Sequence, residues 1–181
     1  MNASTESAQD LEHQAMAAYE AGQWKQAETG FHEAHLAFQR EGNLLKSAEM
    51  RNNLCVVLLQ DDRPQEALEA VEGTWDIFAS QGDDLRTAQS YGNLASAREA
   101  CGDLSGAEEA YRQAAQLLEK TGATDDRERT LSALSRIQLK RGKALQAVAS
   151  MQSGLDSSPR LSFGKRLLRK ILRLPLRLLG R

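Results

Sequence analysis

Few side chains in this sequence stand where they could do chemistry. His32 and His35 lie three residues apart on one expected helix, with Glu28 a turn before His32. That spacing could hold a metal ion, but a site drawn from one surface helix lacks a ligand from elsewhere, so the histidines are read as structural or solvated. Cys55 and Cys101 form neither a disulfide framework nor a metal signature and read as small core residues. The acidic pairs Asp61-Asp62, Asp83-Asp84 and Asp125-Asp126 fall at expected helix starts, where capping and the helix dipole favour negative charge. No phosphate-cradling loop, H-E-x-x-H or nucleophile elbow occurs. The expectation is a protein without catalytic residues, metal or cofactor.

The elements around these residues repeat. Gly22, Asp62, Gly102 and Gly142 fall forty residues apart, each at an expected turn. Ala27, Ala67, Ala107 and Ala147 follow five residues later, and Phe31, Val71, Tyr111 and Met151 form another column. Leu54, Leu94 and Leu134 form a further one, and Gly42, Gly82 and Gly122 mark the second turn of each period. A fixed period of this length predicts a stacked array whose units bury their apolar faces only against neighbours. Apolar and small residues at Trp24, Ala27, Phe31, Ala34 and Phe38 recur every three to four positions, the mark of an amphipathic helix.

The pattern predicts helices over 5–21, 24–40, 44–60, 64–80, 83–101, 104–121, 124–141 and 143–156. Ser4 or Thr5 caps the first. Asp62 caps the fourth, with Gln65 as its capping-box partner and Pro64 in the first turn. Asp83 or Asp84, Asp103 and Thr124 cap the later ones. Ser157-Ser158-Pro159 breaks the pattern. The repeat domain is residues 1–158, with units of about 5–42, 43–82, 83–122 and 123–157. Residues 159–181 form a tail.

Charge divides along the same line. The chain of 181 residues has a net charge of −2, but residues 160–181 carry eight Lys or Arg and no acid. The preceding residues hold 15 basic and 25 acidic side chains, a net of −10. Hydrophobic residues make up 41% and aromatics only 5%, with alanine prominent, which suits closely packed helices rather than a sheet. The first ten residues lack the charged and apolar regions of a secretory signal, so a cytoplasmic setting is expected.

Helix pairs with a Gly-Asp turn, an alanine five residues after that glycine, a large residue four later and a small one three after that resemble the tetratricopeptide repeat. The third unit shows it as Asn93-Leu94, Gly102-Asp103, Ala107, Tyr111 and Ala114. The first shows Gly22, Trp24, Ala27, Phe31 and Ala34. Thr74 and Gly154 stand where alanine is expected, and Gln14 where leucine is. The period is similar to the long variety of kinesin light chains and spindle-orientation adaptors. The resemblance implies an all-α, right-handed α-solenoid of about four hairpins. Its concave face, lined by the first helix of each pair, would bind a peptide from a partner protein.

In such a family Asn53 and Asn93 occupy the position whose amide grips a partner's backbone, with His13 and Ala133 there in the outer units. Glu12, Met16, Glu49, Asn52, Val56, Gln89, Ser96, Arg129, Ser132 and Arg136 would share the face. Asn52, Asn53, Gln89, Asn93, Arg129 and Arg136 are the expected peptide-binding residues. The acids lie toward the first units, so the Arg129/Arg136 end is expected to take a carboxylate or acidic segment.

On a helical wheel the tail segregates. Leu161, Leu167, Leu168, Ile171, Leu172, Leu174, Leu178 and Leu179 gather on one side, and Lys165, Arg166, Arg169, Lys170, Arg173, Arg177 and Arg181 on the other. Pro175 is expected to kink this helix after Arg173. A cation at a helix centre in a bilayer costs about 2.5–3.5 kcal/mol and a leucine returns only about 0.3–0.6 kcal/mol, so spanning is disfavoured. Lying in an anionic interface is favoured, with Lys165 through Leu174 and Arg177, Leu178 and Leu179 as membrane-binding residues. Packing on the last repeat, or self-association into a homo-oligomer, is the second reading. Nucleic acid is disfavoured by the acidic body and the lack of interleaved aromatics. The tail folding back into its own groove is a further one. The expectation is an adaptor at the cytoplasmic face of a membrane. The alternative is a cytoplasmic regulator or assembly chaperone whose tail serves self-association or nucleic acid.

Overall fold

The structure, a computed structural model, describes residues 6–157, 164–168, 170 and 172. Alternating apolar columns produce helices throughout. α1 (Ala8–Glu20) pairs with α2 (Trp24–Arg40), and α3 (Leu44–Gln60) with α4 (Pro64–Val71) and α5 (Thr74–Ser80). α6 (Asp84–Ala100) pairs with α7 (Leu104–Thr121), and α8 (Thr124–Lys140) with α9 (Ala144–Ser157). No strand occurs among the described residues. Substantial packing joins only helices close in sequence, such as α2 with α3 and α7 with α8, which is the pattern of a solenoid.

The period is visible in the turns. Gly22, Gly102 and Gly142 have φ of 71°, 83° and 73°, and Asp62 fills the same slot at φ 55°. It is the one non-glycine with positive φ among the described residues. Ala27, Ala67 and Ala107 are wholly buried, which lets the helices of each pair approach. Gly30 takes this furthest: a Cβ there would lie 2.8 Å from that of Ala15.

Two apolar clusters meet at α3. Met50 and Val57 face Phe31, Phe38 and Ala15 of the first hairpin. Cys55 and Leu58 face Ala67, Val71, Leu94 and Tyr111, a cluster that runs on to Leu131, Leu134 and Ile137. Leu54 touches both.

Several local expectations are corrected. The first helix starts at Ala8, because Ser7 and Asp10 form a reciprocal capping box with bonds of 3.2 and 3.3 Å. Asp62 does not cap α4. It supplies the left-handed turn residue, Asp61 is the C-cap of α3, and Arg63 precedes α4 without a side-chain cap. Thr124 is the first helical residue of α8, and its N-cap Ala123 makes no side-chain bond. Asp83 and Asp103 do cap, accepting from the Arg86 and Gly106 amides at 2.9 and 2.8 Å. Cys55 is buried as expected, whereas Cys101 is a half-buried C-cap.

The largest departure is the expected helix 64–80, which breaks at Glu72 and Gly73, the latter at φ 74°. Arg51 of α3 explains it. Its Nε donates to the Ala70 carbonyl at 2.9 Å and its Nη2 to that of Glu72 at 2.7 Å, satisfying carbonyls that the break leaves open. Beyond the break, buried Thr74 donates to the Val71 carbonyl at 2.7 Å and shares a hydrogen bond with Ser90 of α6. Trp75 stacks on Tyr91 with centroids 5.7 Å apart.

Candidate interaction groove

The first helices of the hairpins, α1, α3, α6 and α8, carry the expected site residues. A cleft of about 290 Å³ between α3 and α6 is lined by Glu49, Asn52, Asn53, Phe78, Arg86, Gln89 and Asn93. A smaller apolar socket of about 100 Å³ adjoins it, lined by Met16, Tyr19, Phe31, Asn53 and Val56. Asn53 belongs to both. Four of the six residues expected to bind a peptide, Asn52, Asn53, Gln89 and Asn93, thus line one cleft.

Their amides are not equivalent. Asn52 is buried and donates to the Ala48 carbonyl at 3.3 Å. Asn93 Nδ2 donates to Asn52 Oδ1 at 3.1 Å and to the Asn52 carbonyl at 3.5 Å, locking α6 to α3. Asn53 Nδ2 has only the Met16 sulfur at 3.9 Å, a weak acceptor. Gln89 is exposed. Ser96, farther along α6, donates to the Gly92 carbonyl at 3.0 Å and pairs with the Tyr111 hydroxyl at 3.1 Å. Arg129 and Arg136 lie on α8, away from the cleft.

The charge gradient read from the sequence is largely matched within the groove. Lys46 Nζ sits 2.7 Å from Glu12 and 3.4 Å from Glu49, whose other neighbour is Arg86 at 4.0 Å. Arg136 and Lys140 each lie 2.8 Å from Glu99, and exposed Arg129 pairs with Asp126. Burial pushes the Glu99 carboxyl up, but Arg136 and Lys140 outweigh it and hold it below the usual carboxylate range. Lys46, Arg86 and Glu99 were missed from the sequence. Lys46 and Arg86 are forty residues apart, a column that marks them as a repeated feature.

The histidines lie elsewhere. A cavity of about 440 Å³ between α2, α3 and α4 is lined by Glu28, His32, His35, Arg51, Arg63 and Glu66, among others. His35 Nδ1 is 2.7 Å from Ser47 Oγ. Burial and the charges of Arg51 and His32 push this imidazole down, against the Ser47 bond. Glu28 is engaged by Arg63 at 2.7 Å and Lys25 at 2.9 Å. Among the described residues no cluster of three metal-ligating groups occurs.

Of the expected membrane-binding residues, Arg169, Ile171, Arg173, Leu174, Arg177, Leu178 and Leu179 lie outside the described residues. Gly164–Leu168, Lys170 and Leu172 are helical. Leu167 is 51% and Leu168 38% exposed, while Lys165 pairs with Glu128 of α8. Among the described residues no helix is long and apolar enough to cross a membrane.

Hairpins stacked side by side, with a cleft along their first helices, define an α-solenoid. Residues 46–120 match the tetratricopeptide repeat family. The fold is similar to BtubC from P. vanneervenii, with a TM-score of 0.72 and 19% identity over 82% of this chain and 65% of that one. It is also similar to the apo form of RapI, with a TM-score of 0.74 and 16% identity over 84% and 44%. The nearly identical TPR-like repeats named for a kinesin light chain from Podosopora anserina give 0.74 and 18% over 91% and 82%. The chain thus spans less than two thirds of the first two. Comparison with curated proteins finds no match.

Proposed function

We propose that this protein is a non-enzymatic adaptor that binds an extended peptide of a partner protein along α1, α3 and α6. The cationic segment after residue 159 holds the assembly on the cytoplasmic, anionic face of a membrane. The observation that carries the peptide reading is Asn53. Its amide stands at the wall between the apolar socket and the polar cleft, with only a sulfur for a partner. An amide donates and accepts at once, so it can pair with a peptide unit while a neighbouring side chain enters the socket. Leu167 and Leu168, open to solvent beside Lys165, Arg166 and Lys170, support the lipid reading.

A displayed library of random peptides, screened against the full chain, tests the groove. Selected peptides are expected to lose about tenfold in affinity for the Asn53→Ala chain, with its helical content retained. Unchanged affinity in a folded variant would remove the groove reading. Sedimentation with phosphatidylserine vesicles tests the tether. Binding is expected to fall steeply with salt and to vanish on removal of residues 160–181. Equal sedimentation of both forms would remove that half.

A further inference from the structure

The polar cleft between α3 and α6 holds a cation and a carboxylate that do not satisfy each other. The guanidinium of Arg86 stands 3.6 Å from Asp83 and 4.0 Å from Glu49, beyond hydrogen-bond reach of either. Glu49 Oε2 is closed to solvent without a hydrogen-bond partner. Lys46 Nζ, 3.4 Å away, lies closer to Glu12, at 2.7 Å. Asn52 offers nothing further, because its Nδ2 donates to the Ala48 carbonyl and its Oδ1 accepts from Asn93. A carboxylate oxygen left without a donor is costly, so a ligand that supplies one gains affinity.

Two open groups of opposite sign, side by side, suit an occupant that accepts and donates at once and carries no charge. An acidic side chain would bond Arg86 but face Glu49. A lysine or arginine would bond Glu49 but face Arg86 and Lys46. A carboxamide takes a hydrogen bond from Arg86 on its oxygen and gives one to Glu49 from its nitrogen. Exposed Gln89, one turn on from Arg86 along α6, lines the same cleft.

The apolar socket fixes the register. It lies across Asn53 from the cleft and is lined by Met16, Tyr19, Phe31 and Val56. In an extended chain the side chains of residues i and i+2 point the same way, roughly 6.6 Å apart. With the peptide unit between them on Asn53, one side chain fills the socket and the other reaches Glu49 and Arg86.

We propose that the groove selects a partner peptide with an aliphatic residue and, two residues away, an asparagine or glutamine whose carboxamide bridges Arg86 and Glu49. This rests on the peptide reading above and adds its specificity: the loose pair rejects charge of either sign at that position.

The peptides selected from the displayed library test it. They are expected to share an aliphatic residue and an amide residue two positions apart. Changing that amide residue to Glu or to Lys in a selected peptide should weaken binding roughly fivefold, the scale of one hydrogen bond. The Glu peptide should regain affinity on the Glu49→Gln chain, and the Lys peptide on the Arg86→Gln chain. Each is read as a ratio to the parent peptide on the same chain, so a general loss of stability does not imitate it. Peptides that need Asn53 but tolerate Glu or Lys equally, or ratios that neither variant moves, would overturn this inference and leave the groove reading standing. Peptides indifferent to Asn53→Ala would overturn both.

Discussion

Lys143 Nζ lies 2.9 Å from Glu108 Oε2 across the junction between the third and fourth hairpins. The first junction repeats the relationship, with Arg63 Nη1 2.7 Å from Glu28 Oε1. In both, a carboxylate early in one second helix is held by the cation that follows the turn of the next unit. The middle junction cannot make this bridge, because Leu68 and Asp103 stand at the corresponding positions. There the shared hydrogen bond of Thr74 with Ser90 and the stack of Trp75 on Tyr91 serve instead. The outer two junctions therefore share one fastening and the middle one has another, although the helices repeat.

Glu108 is the most heavily used of these carboxylates. It is almost wholly buried and also meets Arg141 and, at 2.8 Å, Arg112. Replacing Glu108 with Gln should cost about 1.5–3 kcal/mol, the scale of a hydrogen bond to a charged group. The loss should appear as faster amide exchange in α8 and α9, while α1 and α2 are unchanged, since the units are coupled through neighbours. Exchange that quickens equally along the chain would contradict this.

Acid should weaken the array in two windows. Burial and nearby positive charge push His35 down, so its folded pKa lies below its unfolded one. Its contribution is present above about pH 6.5 and declines as pH falls through the folded value. For Glu28, Glu99 and Glu108, burial raises the carboxyl, but the partnering cations outweigh it and depress all three. Their contribution is present above about pH 4.3 and is lost as pH falls further. Thermal melts across pH 7 to 3 should show a shallow decline first and a steep one later. His35→Gln should remove only the shallow part.

Two helical glycines should respond in opposite ways to alanine. At Gly30 the added Cβ would meet the Cβ of Ala15 at 2.8 Å and its Cα at 3.1 Å, so α1 must move off α2. Such overpacking costs roughly 1–3 kcal/mol, more than the gain in helix propensity. At Gly92 nothing lies within 4 Å, so the propensity gain of about 0.5–1 kcal/mol should appear undiminished. Urea midpoints of the two variants, compared with the parent, decide the point.

Asp62 offers a stabilising change. It holds φ 55° in a slot that glycine fills in the other three hairpins. Asp62→Gly should relieve steric strain of about 1 kcal/mol and raise the midpoint. A lowered midpoint would mean that the Asp62 side chain contributes more than its backbone costs.

The array was legible because its determinants recur. Ala27, Ala67 and Ala107 mark three close helix approaches, and Gly22, Gly102 and Gly142 three turns, whatever lies between them. What escaped was whatever occurs once. Gly73 could have signalled a break, and Thr74 in the alanine column another backbone path, but neither reveals that Arg51, some twenty residues earlier, closes the broken end. The Ser7–Asp10 box has the right spacing in the sequence, but Ser4 and Thr5 offer competing caps that the spacing alone does not exclude. In the groove, Asn53 and Asn93 could be placed by column. Whether their amides stayed unpaired depended on Asn52, Met16 and the tilt between α1, α3 and α6, which periodicity does not encode.

The neighbour-only packing of α1 to α9 bears on how the molecule gains and loses order. Nearly every stabilising touch joins segments close along the chain, so little loop entropy opposes assembly, and folding should be fast for this size. Under load or heat it should come apart by peeling from its outer hairpins inward rather than by shattering at once. The Asn53 cleft, set between the second and third hairpins, would then be the last part to dissolve and the first to re-form.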